Sequence, residues 1–239
     1  MPAIVTNKHV IAGAKKGRFI MTLAEGDGNP IQQSHHTFMF DSFEQMWIPH
    51  PESNVDLCSM PIAPLLEAAN NEFKKLFYVS LDKSLIPSNA ELEDMVLMDE
   101  ITMVGYPNGI WDQVNNMPIF RRGITATHPN LDYNGKPEFL IDAACFPGSS
   151  GSPVFLYNQV GYATKSGGMT IGPGRLKLLG VLYAGPQHTV SGEVKIITIP
   201  TQNVPIAIST IPNNLGMVIK ATKLEAFEKF FKQILDNEK

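Results

Sequence analysis

The stretch Phe146-Pro147-Gly148-Ser149-Ser150-Gly151-Ser152-Pro153-Val154 is the most informative in the chain. A serine set between glycines, just ahead of a β-prone run, can sit on a tight turn with its hydroxyl exposed. Gly148 lets the backbone bend so that its N–H and that of Ser150 point at one spot, and two such donors are what a tetrahedral oxyanion needs. Taken alone, the run is equally an ordinary Ser/Gly turn. The rest of the chain has to decide between the two.

A serine hydroxyl is a weak nucleophile and needs a base held by an acid. The candidate bases are His9, His35, His36, His50, His128 and His188. Val5-Thr6-Asn7-Lys8-His9-Val10 puts His9 at the end of a β-rich segment, fixed yet accessible. Asp56 is the lone charge in the apolar run Asn54-Val55-Asp56-Leu57-Cys58. It is therefore expected to be buried and to need a partner, either His⁺ or a backbone donor.

Around these residues strand signals dominate. Ala3–Thr6, Phe19–Leu23, Thr37–Phe40, Ile101–Val104, Ile119-Phe120 with Ile124-Thr125, Phe139–Ile141 and Val154–Tyr157 are short β-rich runs. Leu178–Tyr183, Val194–Ile199 and Gly216–Lys220 continue the series. Turn chemistry separates them, as in Gly26-Asp27-Gly28-Asn29-Pro30, Tyr133-Asn134-Gly135-Lys136 and Gly172-Pro173-Gly174. This spacing suggests a barrel or a sandwich. Two segments depart from it. Leu65, Leu66, Ala69, Phe73, Leu76 and Phe77 recur at helical spacing and predict one helix over 64–77. Thr222 with Glu225 has the capping-box pattern, and Leu224, Phe227, Phe230, Phe231, Ile234 and Leu235 form the apolar stripe of a closing helix. The weakly periodic stretch 78–89 reads as a link between two lobes.

Composition narrows the function. The 239 residues suit one domain or two small lobes, and 44% apolar content can build a core. With 19 Lys and Arg against 23 Asp and Glu, the net charge is −4, so nothing suggests phosphate neutralisation or a nucleic-acid partner. The only cysteines, Cys58 and Cys145, are read as buried reduced thiols. No apolar run approaches the ~20 residues that span a bilayer. Lys8 and His9 interrupt the opening apolar stretch, so no secretory signal is read and a cytoplasmic location is favoured.

Residue order separates the two obvious serine-hydrolase arrangements. An α/β-hydrolase orders Ser, acid, His on a G-x-S-x-G elbow. Here the fifth position is Ser152, and no Asp or Glu lies between Ser150 and His188, the only later histidine. The order His9, Asp56, Ser150 is the chymotrypsin order instead. Together with TNKHV at 6–10, NVDL at 54–57, GYP at 105–107, PGSSGSPVF at 147–155, GVLYAG at 180–185 and LGMVIKATKL at 215–224, it resembles bacterial trypsin-like serine peptidases, in the style of the HtrA-type protease domain.

The resemblance implies an all-β fold of two six-stranded-type antiparallel β-barrels. Residues 1–85 would form the lobe with His9 and Asp56, 90–221 the lobe with Ser150, and 222–237 a C-terminal α-helix. It implies a serine endopeptidase without metal or organic cofactor, acting on a peptide or protein. Ser150 would attack, His9 would be base and then acid, Asp56 would orient His9, and the Gly148 and Ser150 N–H groups would form the oxyanion hole. The substrate pocket would be lined by Ala144, Cys145, Phe146, Pro147, Tyr183, Ala184, Gly185 and Gly216. None of these is charged, which argues against Lys or Arg selectivity and for apolar side chains. Ser149 stands where many secreted members carry an aspartate, so a zymogen switch of that kind is not expected.

One departure complicates this reading. In the resembled family two strands precede the His segment, and only eight residues precede His9 here. Either the chain is shortened or its first barrel is incomplete, and weak support for His9 and Asp56 would follow. The alternative function is therefore a catalytically impaired protease-fold protein that binds peptides or serves a structural role. His35-His36 reads as a solvated strand end rather than a metal pair. His50, between Pro49 and Pro51, reads as structural, and Arg121-Arg122 as salt-bridging or solvent-facing.

Overall fold

The computed structural model describes residues 2–172, 174–185, 187–191, 208–212 and 214–237. Its first half contains strands β1 (Ala3–Thr6), β2 (Lys16–Ala24), β3 (Pro30–Asp41), β4 (Ile48–Pro49), β5 (Cys58–Pro61) and β6 (Lys75–Leu76), with helices α1 (Lys8–Ile11) and α2 (Ala63–Asn71). These strands make two three-stranded sheets, ordered β1-β5-β4 and β3-β2-β6. Alternation along β2 and β3 turns Phe19, Met21, Leu23, Phe38 and Phe40 toward one core, shared with Trp47, Cys58, Met60, Leu65 and Leu76. The first lobe is thus two sheets over one core, not a closed barrel.

The second half closes. It holds α3 (Asn89–Asp94), β7 (Glu100–Gly105), β8 (Ile119–Thr125), β9 (Glu138–Asp142), β10 (Pro153–Asn158), β11 (Gly161–Ala163), β12 (Met169–Ile171), β13 (Arg175–Ala184), β14 (Gln187–Ser191), β15 (Ile208–Pro212), β16 (Leu215–Lys220) and α4 (Glu225–Asn237). Six of these strands form a closed antiparallel barrel in the order β10-β13-β16-β9-β8-β7. Val154↔Met103 pairing between β10 and β7 shuts it. Ile101, Met103, Phe139, Ile141, Val154, Leu156, Leu182 and Val218 fill the interior, as alternate residues of each strand must.

A third apolar cluster joins the lobes. Val55 and Leu57 from the first lobe meet Val181 and Ile219 from the barrel and Phe227 from α4, with Val5, Tyr183, Leu224 and Phe231 packed around them. Polar contacts reinforce this seam. The buried His50 ring accepts from the Glu52 N–H through Nδ1 at 3.1 Å, so its Nε2–H donates to Lys223 O at 3.0 Å. Its edge meets Phe227, with ring centroids 5.4 Å apart, and Lys223 Nζ reaches Glu52 at 2.8 Å.

Several local expectations are corrected. The helix expected over 64–77 ends at Asn71. Phe73 adopts φ 57° and is fully exposed, and Lys75-Leu76 pairs with β2 instead. The apolar spacing that continued the helical stripe belongs to a strand, because Leu76 finds its core through the sheet. The Thr222/Glu225 pattern makes no capping box. A 3-10 turn at Ala221–Leu224, N-capped by Lys220 without a side-chain bond, leads into α4. Among the described residues the capping box is Ser88/Glu91 at the start of α3, beside the expected link. His35 and His36 lie within β3, not at a strand end. The strand expected at Val194–Ile199 lies outside the described residues.

Phe227 is 4% exposed at the centre of the seam. Phe227→Ala should lower the unfolding free energy by about 3 kcal/mol in urea denaturation.

Candidate active site

Antiparallel pairing of β1 with β5, in the register Thr6↔Cys58, brings the residues after β1 beside those before β5. Asn7 ends the strand as the N-cap of α1, and His9 follows in that short helix. Asp56 stands two residues ahead of β5. Its Oδ1 accepts the His9 backbone N–H at 3.2 Å, and its Oδ2 lies 2.5 Å from His9 Nδ1. His9 Nε2 is 3.1 Å from Ser150 Oγ, across 141 residues of chain. The imidazole therefore bridges the carboxylate and the hydroxyl. Asp56 is not fully buried as expected, for its side chain is 26% exposed and that of His9 49%. Its partners are the two that the sequence allowed, an imidazole and a backbone donor.

Ser150 lies on the turn ahead of β10, and its hydroxyl also has the Tyr183 carbonyl within 3.2 Å. Gly148 (φ 82°) and Gly151 (φ 85°) adopt the left-handed conformation that glycine allows at little cost. Space excludes side chains there as well. A Cβ at Gly151 would lie 2.6 Å from Thr6 Oγ1, and one at Gly148 3.0 Å from the Tyr106 carbonyl. The Asn108 N–H donates to Pro147 O at 2.7 Å, backing the turn from behind. Within it, the N–H groups of Ser149, Gly151 and Ser152 are used by Phe146 O, Leu182 O and Ser149 O. Among the described residues those of Gly148 and Ser150 meet no acceptor. They are the pair that the resemblance assigns to an oxyanion hole.

Beside Ser150 opens a cavity of about 130 Å³ lined by Cys145, Phe146, Pro147, Leu182, Ala184 and Gly185. Three expected wall residues stand elsewhere. The Tyr183 side chain turns into the seam, where its hydroxyl donates to the buried Glu138 at 2.8 Å. Ala144 is not part of the lining, and its carbonyl is bonded by Arg121, whose guanidinium sits 5.0 Å from the Phe146 ring centroid. Gly216 lies beneath it, since a Cβ there would come within 2.5 Å of Cys145 Sγ and 2.7 Å of Leu182 Cδ1. Leu182 was missed. Its place next to Tyr183 on β13 is the signal, because alternation turns neighbouring side chains to opposite faces.

The remaining candidates serve elsewhere. His35 Nε2 lies 3.0 Å from Val114 O, and His36 Nδ1 lies 3.2 Å from Lys74 Nζ. His128 Nε2 lies 3.2 Å from Met95 O, and Arg122 pairs with Glu100. Ser149 is buried, and its hydroxyl has no partner among the described residues. The His188 side chain lies outside the described residues. Among the described residues no three His, Cys, Asp or Glu side chains cluster as a metal site would require.

Residues 3–161 match the family model of the trypsin-like peptidase domain. No curated protein matches the chain. Among solved structures it is similar to an inactive form of a serine-to-alanine mutant of Rv3671c from M. tuberculosis H37Rv. That match has 14% identity and a TM-score of 0.38, covering 93% of this chain and 73% of the other.

Burial pushes the Cys58 thiol up to about 12 and the Cys145 thiol up to about 11. A thiolate is the reactive form. The folded protein should therefore release no colour from an aromatic disulfide reagent at pH 8, and both thiols should react once it is denatured.

Proposed function

The chain belongs to the trypsin-like peptidase domain family, and on that premise we propose that it is a serine endopeptidase working through an acyl-enzyme on Ser150. The observation that carries the proposal is the position of His9, within hydrogen-bond reach of Asp56 on one side and Ser150 on the other. In this reading Asp56 accepts from Nδ1–H, which leaves Nε2 free to take the Ser150 proton as Oγ attacks the substrate carbonyl. The carbonyl oxygen becomes an oxyanion, and the unused N–H groups of Gly148 and Ser150 receive it. Each such donor typically contributes about 3 kcal/mol of transition-state stabilisation. His9 then returns its proton to the leaving amine, and the same steps with water release the acyl group.

The side chain ahead of the cleaved bond would enter the cavity beside Ser150. Its walls are apolar or backbone, with no ionised group on the lining. Such a pocket favours an apolar side chain, because a Lys or Arg would be desolvated there without a partner. A peptide library should be cut after apolar residues in preference to Lys and Arg. Equal cleavage after Lys or Arg would contradict this.

The open first lobe favours a second reading, in which the fold binds peptides without turnover. One experiment separates the two. Intact-mass measurement after fluorophosphonate treatment should show one adduct on the parent chain and none on Ser150→Ala. Peptide hydrolysis should fall about 10⁶-fold in that variant. A folded parent that takes no adduct would favour the binding role.

A further inference from the structure

We propose that Asn7 is the positioning residue of the His9–Asp56 pair. The proposal rests on the peptidase reading for its kinetic consequences and on geometry alone for its structural ones. Asn7 is fully buried between β1 and α1, with φ −90° and ψ 147°. Its side-chain Nδ2 donates to the Asp56 main-chain carbonyl at 2.8 Å. Its own carbonyl accepts the Val10 N–H at 3.1 Å, which starts the turn that carries His9. One residue thus sets His9 through its backbone and Asp56 through its side chain.

The remaining bonds to Asp56 show why this matters. Its carboxylate is held by the His9 backbone N–H and by the His9 ring. Among the described residues these are its only hydrogen-bond partners, and no donor but Asn7 reaches its carbonyl. A quarter of the Asp56 side chain faces solvent, so packing alone does not stop the carboxylate from rotating toward water. Asn7 fixes the peptide from which that side chain springs. Without its amide, the Asp56 carbonyl loses its one donor and the segment can move by about an ångström, a displacement that costs on the order of 100-fold in rate at such a site.

Asn7→Ala and the isosteric Asn7→Asp both remove the amide donor, and Leu65→Ala is the control. Leu65 is buried in the first-lobe core, and its loss should lower thermal stability without touching this contact. Per folded molecule, fluorophosphonate labelling and peptide kcat should fall about 100-fold in both Asn7 variants, with KM within about twofold of the parent. The Leu65→Ala rate should stay at the parental value. The second readout is the low-field proton resonance of His9 Nδ1–H bonded to Asp56. It should move upfield or broaden in the Asn7 variants and stay unchanged in Leu65→Ala.

Parental rates together with a parental resonance in either folded Asn7 variant would overturn the inference. So would failure of both to fold where Leu65→Ala folds, because Asn7 would then belong to the fold alone. A parent that takes no label but shows the resonance, lost in the Asn7 variants, would sink the peptidase reading and leave the positioning role standing.

Discussion

The arrangement at Ser150 depends on the apolar seam between the lobes. Val55 and Leu57 flank Asp56, Val5 precedes the His9 turn, and Tyr183 carries the carbonyl nearest the Ser150 hydroxyl. All four side chains enter one cluster with Val181, Ile219 and Phe227. Burying that cluster removes apolar surface of both lobes from water, at roughly 25 cal/mol per Å², and so holds them together. The polar array lies directly on this seam. Its geometry is therefore a consequence of hydrophobic packing, and three groups far apart in sequence come within hydrogen-bond reach without a covalent link.

The two lobes contribute differently. The second is a closed barrel with a continuous interior, so the turn bearing Ser150 is held from behind by β10, β13 and the 106–109 turn. The first has two separate sheets, and its share of the array is partly in solvent, His9 by half and Asp56 by a quarter. Burial can immobilise Ser150. For His9 and Asp56, directional bonds must do more of that job, and the short span from Asn7 to His9 supplies three of them. The 3-10 turn and the C-terminal helix after it add support from outside, since His50 and Glu52 bind Lys223 and the His50 ring meets Phe227, tying the segment ahead of Asp56 to residues 223–227.

Much of this was legible in the sequence because it is local. The glycines at 148 and 151 mark left-handed turn positions, and the strand runs from Ala3 to Lys220 mark a β protein. The order of His9, Asp56 and Ser150 excludes the α/β-hydrolase arrangement without coordinates. Where the reading failed, a longer-range interaction overrode a local period. Leu76 carried on a helical stripe, yet its pairing with Leu23 on β2 won, and Phe73 was left in water. Thr222 and Glu225 had the letters of a capping box, but the chain turns from β16 into α4 through a tighter 3-10 step. The resemblance places Tyr183 in the pocket, whereas the pleat sends it to the seam and turns Leu182 to the pocket.

By itself the sequence determined the kinds of groups present, their order along the chain, and the turns that only glycine adopts readily. These follow from backbone sterics and side-chain chemistry, which act over a few residues. Tertiary structure alone decided which face of β13 meets the pocket, that the first lobe stays open while the second closes, and that Asp56 is braced by Asn7. Each of these depends on packing between segments tens of residues or more apart, and no local pattern encodes how such segments share a core.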